Sequence, residues 1–271
     1  MSSVIEWEKL WQSKTSKTSQ ISSPEYWSRR AEDYNDYIRT SNFDHGYKIK
    51  ELLMSEGVLA ADMDVLDIAA GPGSITIPFA GVARKVTAVE PAVEMCRHLR
   101  INADEKGLKN VEVINRRWQD VDDAQVQGEF DLCICSQALW QFPDIVRQIQ
   151  RINGASRGYC CIAIGAGPDS ESNRLSQMLG IDSWNQDRFL CFFNILCQQE
   201  ILANVRMIDT MMKRSVKSAI SMWELNLGKY QEPTAEQKDL IREHVLSNSK
   251  NGFYEKVNKL AVVWWPAKKG A

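Results

Sequence analysis

The chain has 271 residues, with 33 Lys and Arg against 35 Asp and Glu, a net charge of −2 and 44% hydrophobic residues. This length suits one large α/β domain with appendages, and the near-balanced charge offers no long-range attraction to nucleic acid, so none is expected as a partner. The N-terminus lacks a basic-then-apolar signal pattern and no apolar run is long enough to span a bilayer; a soluble cytoplasmic protein without a membrane partner is expected.

Residues 1–45 read as an N-terminal helical cap. The run "VIEWEKLW" puts Trp7 and Trp11 on one helix face, and the polar tract "SKTSKTSQISSP" reads as a linker or mobile loop. "SPEYWSRRAEDYNDYIRT" then predicts a helix, capped by Ser23, with Pro24 at its first position and Glu25 in its first turn. Tyr26, Trp27, Tyr34 and Tyr37 fall on it, either as core packing or as a lid over a pocket.

Residues 46–166 alternate strand and helix. Strands are expected at 64–69, 85–90, 111–115, 130–135 and 158–165, with helices at about 74–82, 91–106 and 143–153. Nearly all-apolar strands in βαβ alternation mean a parallel sheet covered on both faces. Ligands of such sheets bind outside the carboxyl ends of the strands, where strand order reverses.

Residues 167–271 add helices in "SESNRLSQMLG", "DRFLCFFNILCQQEILA", "SAISMWELNLGKY" and "TAEQKDLIREHVLS". A strand is expected in "VRMIDTMMKR" and a final one in "EKVNKLAVVWW". The expected fold is α/β: a doubly wound, mostly parallel seven-stranded sheet with helices on both faces, in one structural domain. The N-terminal cap and the late helices would shape a substrate cavity.

Seven cysteines are many for this length. Their odd count, the adjacent Cys160 and Cys161, and their placement in apolar runs argue for buried thiols rather than disulfides. Cys133 and Cys135 lie too far from a second pair to form a zinc knuckle, and no metal is expected. Cys191 and Cys197, on an amphipathic helix, are the one pair placed to face a cavity, with packing the simpler reading.

The chemistry concentrates in "VLDIAAGPGSITIPFA", residues 65–80. A dinucleotide fingerprint wants G-x-G-x-x-G, but the run from Gly71 is G-P-G-S-I-T, with Thr76 at the third glycine position. Asp67 lies inside the preceding strand, where a carboxylate is costly unless it meets a donor. A cofactor bearing an ammonium group would provide one, whereas a pyrophosphate would repel it. Glu90, closing the next strand, suits two ribose hydroxyls in either case. The pattern Asp67-x-Ala69-x-Gly71-x-Gly73, then Glu90, resembles the class I S-adenosylmethionine-dependent methyltransferases over roughly residues 24–166. Ala69 replaces the family's usual first glycine, a mild change if it keeps ordinary strand dihedrals. A nicotinamide-dependent oxidoreductase is the reading this resemblance displaces.

The resemblance implies S-adenosyl-L-methionine as methyl donor and S-adenosyl-L-homocysteine as product. It implies that Gly71 and Gly73 pass close to the amino-acid half of the donor, that Asp67 orients it, and that Glu90 holds the ribose above Pro91 and Ala92. Trp118 and Gln119 would wall the adenine and Asp120 would accept its amine, although Arg116 and Arg117 depart from the family's usual Gly-Asp. Ser136, Gln137 and Ala138 would line the methionine arm, with Trp140 over the reacting methyl. The tetrad Ser136 to Leu139 lacks the Asp/Asn-Pro-Pro-aromatic signature of DNA amino-methylating enzymes, so exocyclic base methylation is not expected.

Methyl transfer from a sulfonium is an in-line displacement that needs alignment and dryness more than a dedicated base. No compact catalytic constellation stands out. Tyr34, Tyr37 and His45 are the nearest candidates, His45 in the turn-like "FDHGY"; His98 and His244 read as surface residues. A small-molecule acceptor is the leading expectation, with a protein side chain, or a non-catalytic S-adenosylmethionine-binding role, as alternatives.

Overall fold

The computed structural model describes residues 5–167, 170–180 and 188–268. Four helices come first: α1 (Trp7–Ile21), α2 (Pro24–Arg29), α3 (Ala31–Thr40) and α4 (Asp44–Ser55). The alternating segment follows as β1 (Asp64–Ile68), α5 (Thr76–Ala80), β2 (Lys85–Val89), α6 (Val93–Glu105), β3 (Val111–Ile114), α7 (Asp123–Val126), β4 (Phe130–Ser136), α8 (Ile145–Ala155) and β5 (Ser156–Gly165). Single 3-10 turns at Trp118–Asp120 and Leu139–Gln141 precede α7 and α8. The chain continues through α9 (Ser170–Met178), α10 (Arg188–Gln198), β6 (Asn204–Ser215), α11 (Val216–Leu227), α12 (Ala235–Ser247), β7 (Ser249–Lys250) and β8 (Phe253–Pro266).

The strands form one sheet in the order β3-β2-β1-β4-β5-β8-β6, with the short β7 pairing β8. The first five are mutually parallel, and β8 runs antiparallel between β5 and β6. The doubly wound, mostly parallel α/β fold is therefore present, and the eighth strand is the two-residue β7. Strand order reverses between β1 and β4, so the glycine turn leaves the sheet at its ligand-binding edge.

Alternation of side chains assigns the two faces of the sheet to separate cores. Leu66, Ile68, Cys133, Cys135, Cys160 and Ile162 pack with Trp11 and with Ile149 and Ile195 of the helices on one face. Val65, Leu132, Ile134, Cys161 and Ala163 pack with Ile49, Leu53 and Phe79 on the other. Adjacent Cys160 and Cys161 thus serve opposite faces as small hydrophobes. All seven cysteines are free thiols; Cys191 is buried while Cys197 is exposed. A smaller core joins Leu175 of α9 and Leu179 just after it to Trp223 of α11, Ile241 of α12 and Tyr254 of β8.

The N-terminal segment differs from the expectation. The polar tract from Ser13 is not a linker, because α1 continues through it to Ile21. Its hydroxyls turn back onto the helix, Thr15 Oγ1 donating to the Trp11 carbonyl at 2.8 Å and Ser16 Oγ to that of Gln12 at 2.7 Å. Trp11 anchors the helix, fully buried, with its Nε1 donating to the Phe142 carbonyl at 2.8 Å. Tertiary anchoring overrides weak propensity here. The next helix breaks at Arg30 into α2 and α3, and Ser23 caps α2 through the Tyr26 amide as expected. The turn expected at "FDHGY" falls one step earlier, at left-handed Asn42 and Phe43, which leaves His45 buried in the first turn of α4. His98 is buried too, not on the surface, packed where α6 meets α3.

Candidate active site

The turn after β1 is built on left-handed backbone. Ala69, Gly71 and Gly73 have φ of 59°, 57° and 96°. At Gly73 a Cβ would approach Ile77 Cγ1 to 3.0 Å and Leu99 Cγ to 3.2 Å, so glycine is needed for both conformation and space. Ala69 does not keep strand dihedrals, contrary to expectation; an L-residue there costs about 1–2 kcal/mol. From the other side α4 presses Gly46 so close that a Cβ would run into the Ser74 carbonyl.

Two buried carboxyls brace this turn. Asp67, 1% exposed, accepts a 2.6 Å hydrogen bond from Thr76 Oγ1. Burial pushes its carboxyl up to about 7, against the opposing pull of the Thr76 hydroxyl and amide. Glu90, 5% exposed, accepts from the Gly71 amide at 2.9 Å and the Ala92 amide at 2.8 Å. Burial raises it to about 7 as well; the two amides oppose the rise and the charge of Asp67 adds to it. Thr76, which stands where a dinucleotide fold has its third glycine, is thus the partner that the strand carboxylate requires.

Two adjoining cavities open at the carboxyl ends of β1, β2 and β4, sharing Trp27, Ala69, Pro91 and Gln141 as walls. The smaller, about 60 Å³, is bounded by Tyr34, Gly71, Glu90, Met95 and the loop Ser136-Gln137-Ala138. The larger, about 170 Å³, is bounded by Pro24, Arg117, Trp118, Gln119 and Phe142. The loop after β4 is fixed by its own backbone: Gln137 has φ of 58°, its amide donates to the Ala163 carbonyl at 2.8 Å, and its carbonyl accepts from Trp140 Nε1 at 2.9 Å. Trp118 is buried beneath the Arg151 guanidinium, 4.5 Å above its ring.

Three buried polar atoms of these walls, Trp27 Nε1, Trp118 Nε1 and Ser136 Oγ, have no hydrogen-bond partner among the described residues. Buried polar groups are otherwise nearly always paired. An elongated ligand with a polar arm, ribose hydroxyls and a flat ring offers partners for these atoms, and its hydroxyls could share the acceptor oxygens of Glu90. The residues present therefore fit an adenosyl cofactor.

The structure brings Ala69, Gly71, Glu90, Pro91, Trp118, Gln119, Ser136 and Gln137 to the cavity walls. Asp67 and Gly73 stand behind the turn, Asp120 is exposed on the same 3-10 turn as Trp118, and Trp140 lies 6.3 Å from the Trp27 ring. Of the catalytic candidates, Tyr34 reaches the wall beside Gly71, whereas Tyr37 and His45 lie outside both linings. His45 stacks on Tyr37 at 6.4 Å and burial lowers its imidazole to about 4. Trp27, expected either in the core or as a lid, stands at the wall of both cavities, whereas Met95 and Gln141 are wall residues that the sequence pattern did not single out. Met95 follows Pro91 at helical spacing, a signal that was available; Gln141 carries no local signature. Among the described residues, no group of three or more His, Cys, Asp or Glu side chains could hold a metal ion, and no helix is long and apolar enough to cross a membrane.

A parallel sheet with a glycine turn, an acidic second strand end and a two-lobed cavity defines an α/β enzyme that binds an adenosyl cofactor at its switch point. The family model described as "Methyltransferase domain" matches residues 59–236. The chain belongs to this family and is a class I S-adenosylmethionine-dependent methyltransferase. Its fold is similar to that of the YcgJ protein from Bacillus subtilis, with a TM-score of 0.57 at 16% identity, covering 83% of this chain and 99% of that one. A methyltransferase candidate from Bacillus halodurans C-125 is similar at a TM-score of 0.53 and 15% identity, over 81% and 98% of the two chains. In sequence, 115 residues are 24% identical to a 23S rRNA uracil-C5 methyltransferase of Idiomarina loihiensis, covering 42% of this chain. The match spans about a quarter (26%) of that relative's length.

Proposed function

We propose that the chain methylates a small molecule held beside the loop Ser136 to Trp140. The observation that carries this reading is an aromatic roof. Trp27 sits edge-on to Tyr34 at 5.9 Å and edge-on to Tyr26 at 5.4 Å, and lies 6.3 Å from Trp140. Such a cover suits an acceptor that is enclosed rather than a polymer lying across an open groove.

The bound cofactor supplies an electrophilic sulfonium methyl, so the protein's task is alignment and exclusion of water. In this reading Gly71 and Gly73 let the backbone approach the amino-acid arm, and Asp67 acts through Thr76 by holding the turn. Glu90 receives the ribose hydroxyls, Pro91 supports them, Trp118 and Gln119 flank the adenine, and Asp120 accepts its amine. Ser136 and Gln137 face the methionine arm; Trp27, Tyr34 and Trp140 keep the reacting centre dry. Tyr34, at the cavity wall, is the better placed of the candidate proton acceptors, ahead of Tyr37 and His45.

RNA is the second reading, and the expectation that nucleic acid plays no part is withdrawn. It is favoured by the similarity to a ribosomal RNA methyltransferase and by exposed Arg117 at the rim of the larger cavity, next to exposed Arg116. Incubation of a cell extract with methyl-labelled cofactor and purified enzyme separates the two. Label in the small-molecule fraction supports the first reading; label confined to RNA or protein refutes it.

A further inference from the structure

A cluster of cations gathers around Trp27 and Trp140. Lys229, in the turn after α11, places its Nζ 4.2 Å from the Tyr26 ring centroid and 5.5 Å from those of both Trp27 and Trp140. The Arg30 guanidinium stands 5.7 Å from the Trp27 ring, and that of Arg188 stands 5.5 Å from the Trp140 ring. Four elements that are far apart in sequence therefore converge: α2 with the start of α3, the loop after β4, the start of α10 and the end of α11.

Among the described residues, the acid beside Arg30 is already engaged. Asp33 takes both Arg30 Nε and Nη2 at 2.9 Å and also Arg214 Nη1 at 3.1 Å. Tyr26 Oη accepts from Arg30 Nη1 at 3.0 Å and meets Asn226 Oδ1 at 3.1 Å. Among the described residues the Lys229 Nζ has neither a hydrogen bond nor an ion pair. Its ammonium meets only aromatic faces and the fields of two arginines. Burial, then Arg30 and Arg188, push it down to about 7. Aromatic faces return part of the lost hydration of a cation, but they do not offset two like charges. An anion placed here would meet a charge-assisted donor on a half-buried lysine.

We propose that Lys229, framed by Tyr26, Trp27 and Trp140 and reinforced by Arg188, receives an anionic group of the methyl acceptor, a carboxylate or a phosphate monoester. This rests on the small-molecule reading above. The acceptor then lies along the edge of the Trp27–Trp140 pair, its anion on Lys229 and its nucleophile directed toward the Ser136 loop. Placement under α2 favours a small anion over a nucleic-acid backbone, which would have to thread beneath the cap.

The test uses the full chain, methyl-labelled S-adenosylmethionine and a small-molecule cell extract fractionated on an anion-exchange resin. Acceptor activity is expected in the retained fraction. Phosphatase treatment of that fraction abolishes activity if the group is a phosphate monoester and spares it if it is a carboxylate, and either result supports an anion. With the retained fraction, Lys229→Met is expected to raise the acceptor KM roughly ten- to a hundredfold, the loss of one charged hydrogen bond, while Lys229→Arg recovers most of it. Unaltered S-adenosylhomocysteine affinity in both variants shows that the fold and cofactor site survive. Acceptor activity in the unretained, neutral or cationic fraction overturns the anion assignment and leaves the small-molecule reading standing. An unchanged acceptor KM in Lys229→Met also overturns it. Label confined to RNA or protein overturns both.

Discussion

Thr76 Oγ1 donates a 2.6 Å hydrogen bond to the Asp67 carboxyl, joining the first residue of α5 to the last turn of β1 beneath the glycine loop. One contact thus accounts for two departures from a dinucleotide fingerprint: the threonine in place of glycine and the carboxylate in the strand. Thr76→Val keeps the shape and removes the donor. It should cost about 1–3 kcal/mol, the penalty of a buried acceptor losing its partner. Urea denaturation at neutral pH checks this; a loss within experimental error would mean that the bond has no structural weight.

Asp67 and Glu90 also set a pH dependence. Both carboxyls sit near 7 in the folded chain, against ordinary values of 3.8 and 4.5. The folded state therefore holds more protons than the unfolded one between those limits. The stability these groups contribute is fully present below the unfolded values and is lost as pH rises through the folded ones. The urea midpoint of the cofactor-free chain should fall from pH 5 to pH 7.5, and Glu90→Gln should flatten part of the fall. A midpoint that rises equally in wild type and variant would contradict the assignment.

Ala69 carries a strain that its position makes removable. Its φ of 59° is one that glycine adopts freely. Relief of about 1–2 kcal/mol, set against the greater freedom glycine gives the unfolded chain, leaves Ala69→Gly more stable by roughly 0.5–1 kcal/mol. Thermal unfolding of the variant tests this, and a lowered melting temperature would show that the methyl's packing outweighs the strain.

The cap is tied to the sheet through Asp33. With Arg30 3% and Arg214 2% exposed, Asp33→Ala leaves two buried guanidiniums without their shared carboxylate. A loss of about 3–5 kcal/mol is expected. Chemical denaturation of the variant reads it directly, and a surface-like cost below ~1 kcal/mol would show that the network is not what docks α3 on β6.

Local pattern made much of this legible. The apolar runs 64–69, 85–90 and 130–135 mark strands found at 64–68, 85–89 and 130–136, while Gly71, Gly73 and Glu90 are picked out by the resemblance to the methyltransferases. What escaped depends on distant partners. The polar second half of α1 is helical because Trp11 is buried against Phe142, which no window around Ser13 reveals. His45 lies in a helix because the backbone turns at Asn42 and Phe43; asparagine is common in the left-handed region, but a bulky phenylalanine there is rare and gives no local signal. Ala69 looked like strand because left-handed alanine is rare. Lys229 reaches the aromatic box only through tertiary convergence of α2, α11 and the loop after β4.

The central claim is that Glu90 and the glycine turn hold the adenosyl cofactor. Titration calorimetry of the full chain with S-adenosylhomocysteine, wild type against Glu90→Ala, addresses it most directly. Loss of a buried carboxylate acceptor for ribose hydroxyls should weaken binding by about 1–3 kcal/mol, roughly five- to 150-fold in Kd, with the fold intact by circular dichroism. An affinity equal to that of wild type would place the ribose elsewhere and contradict the account.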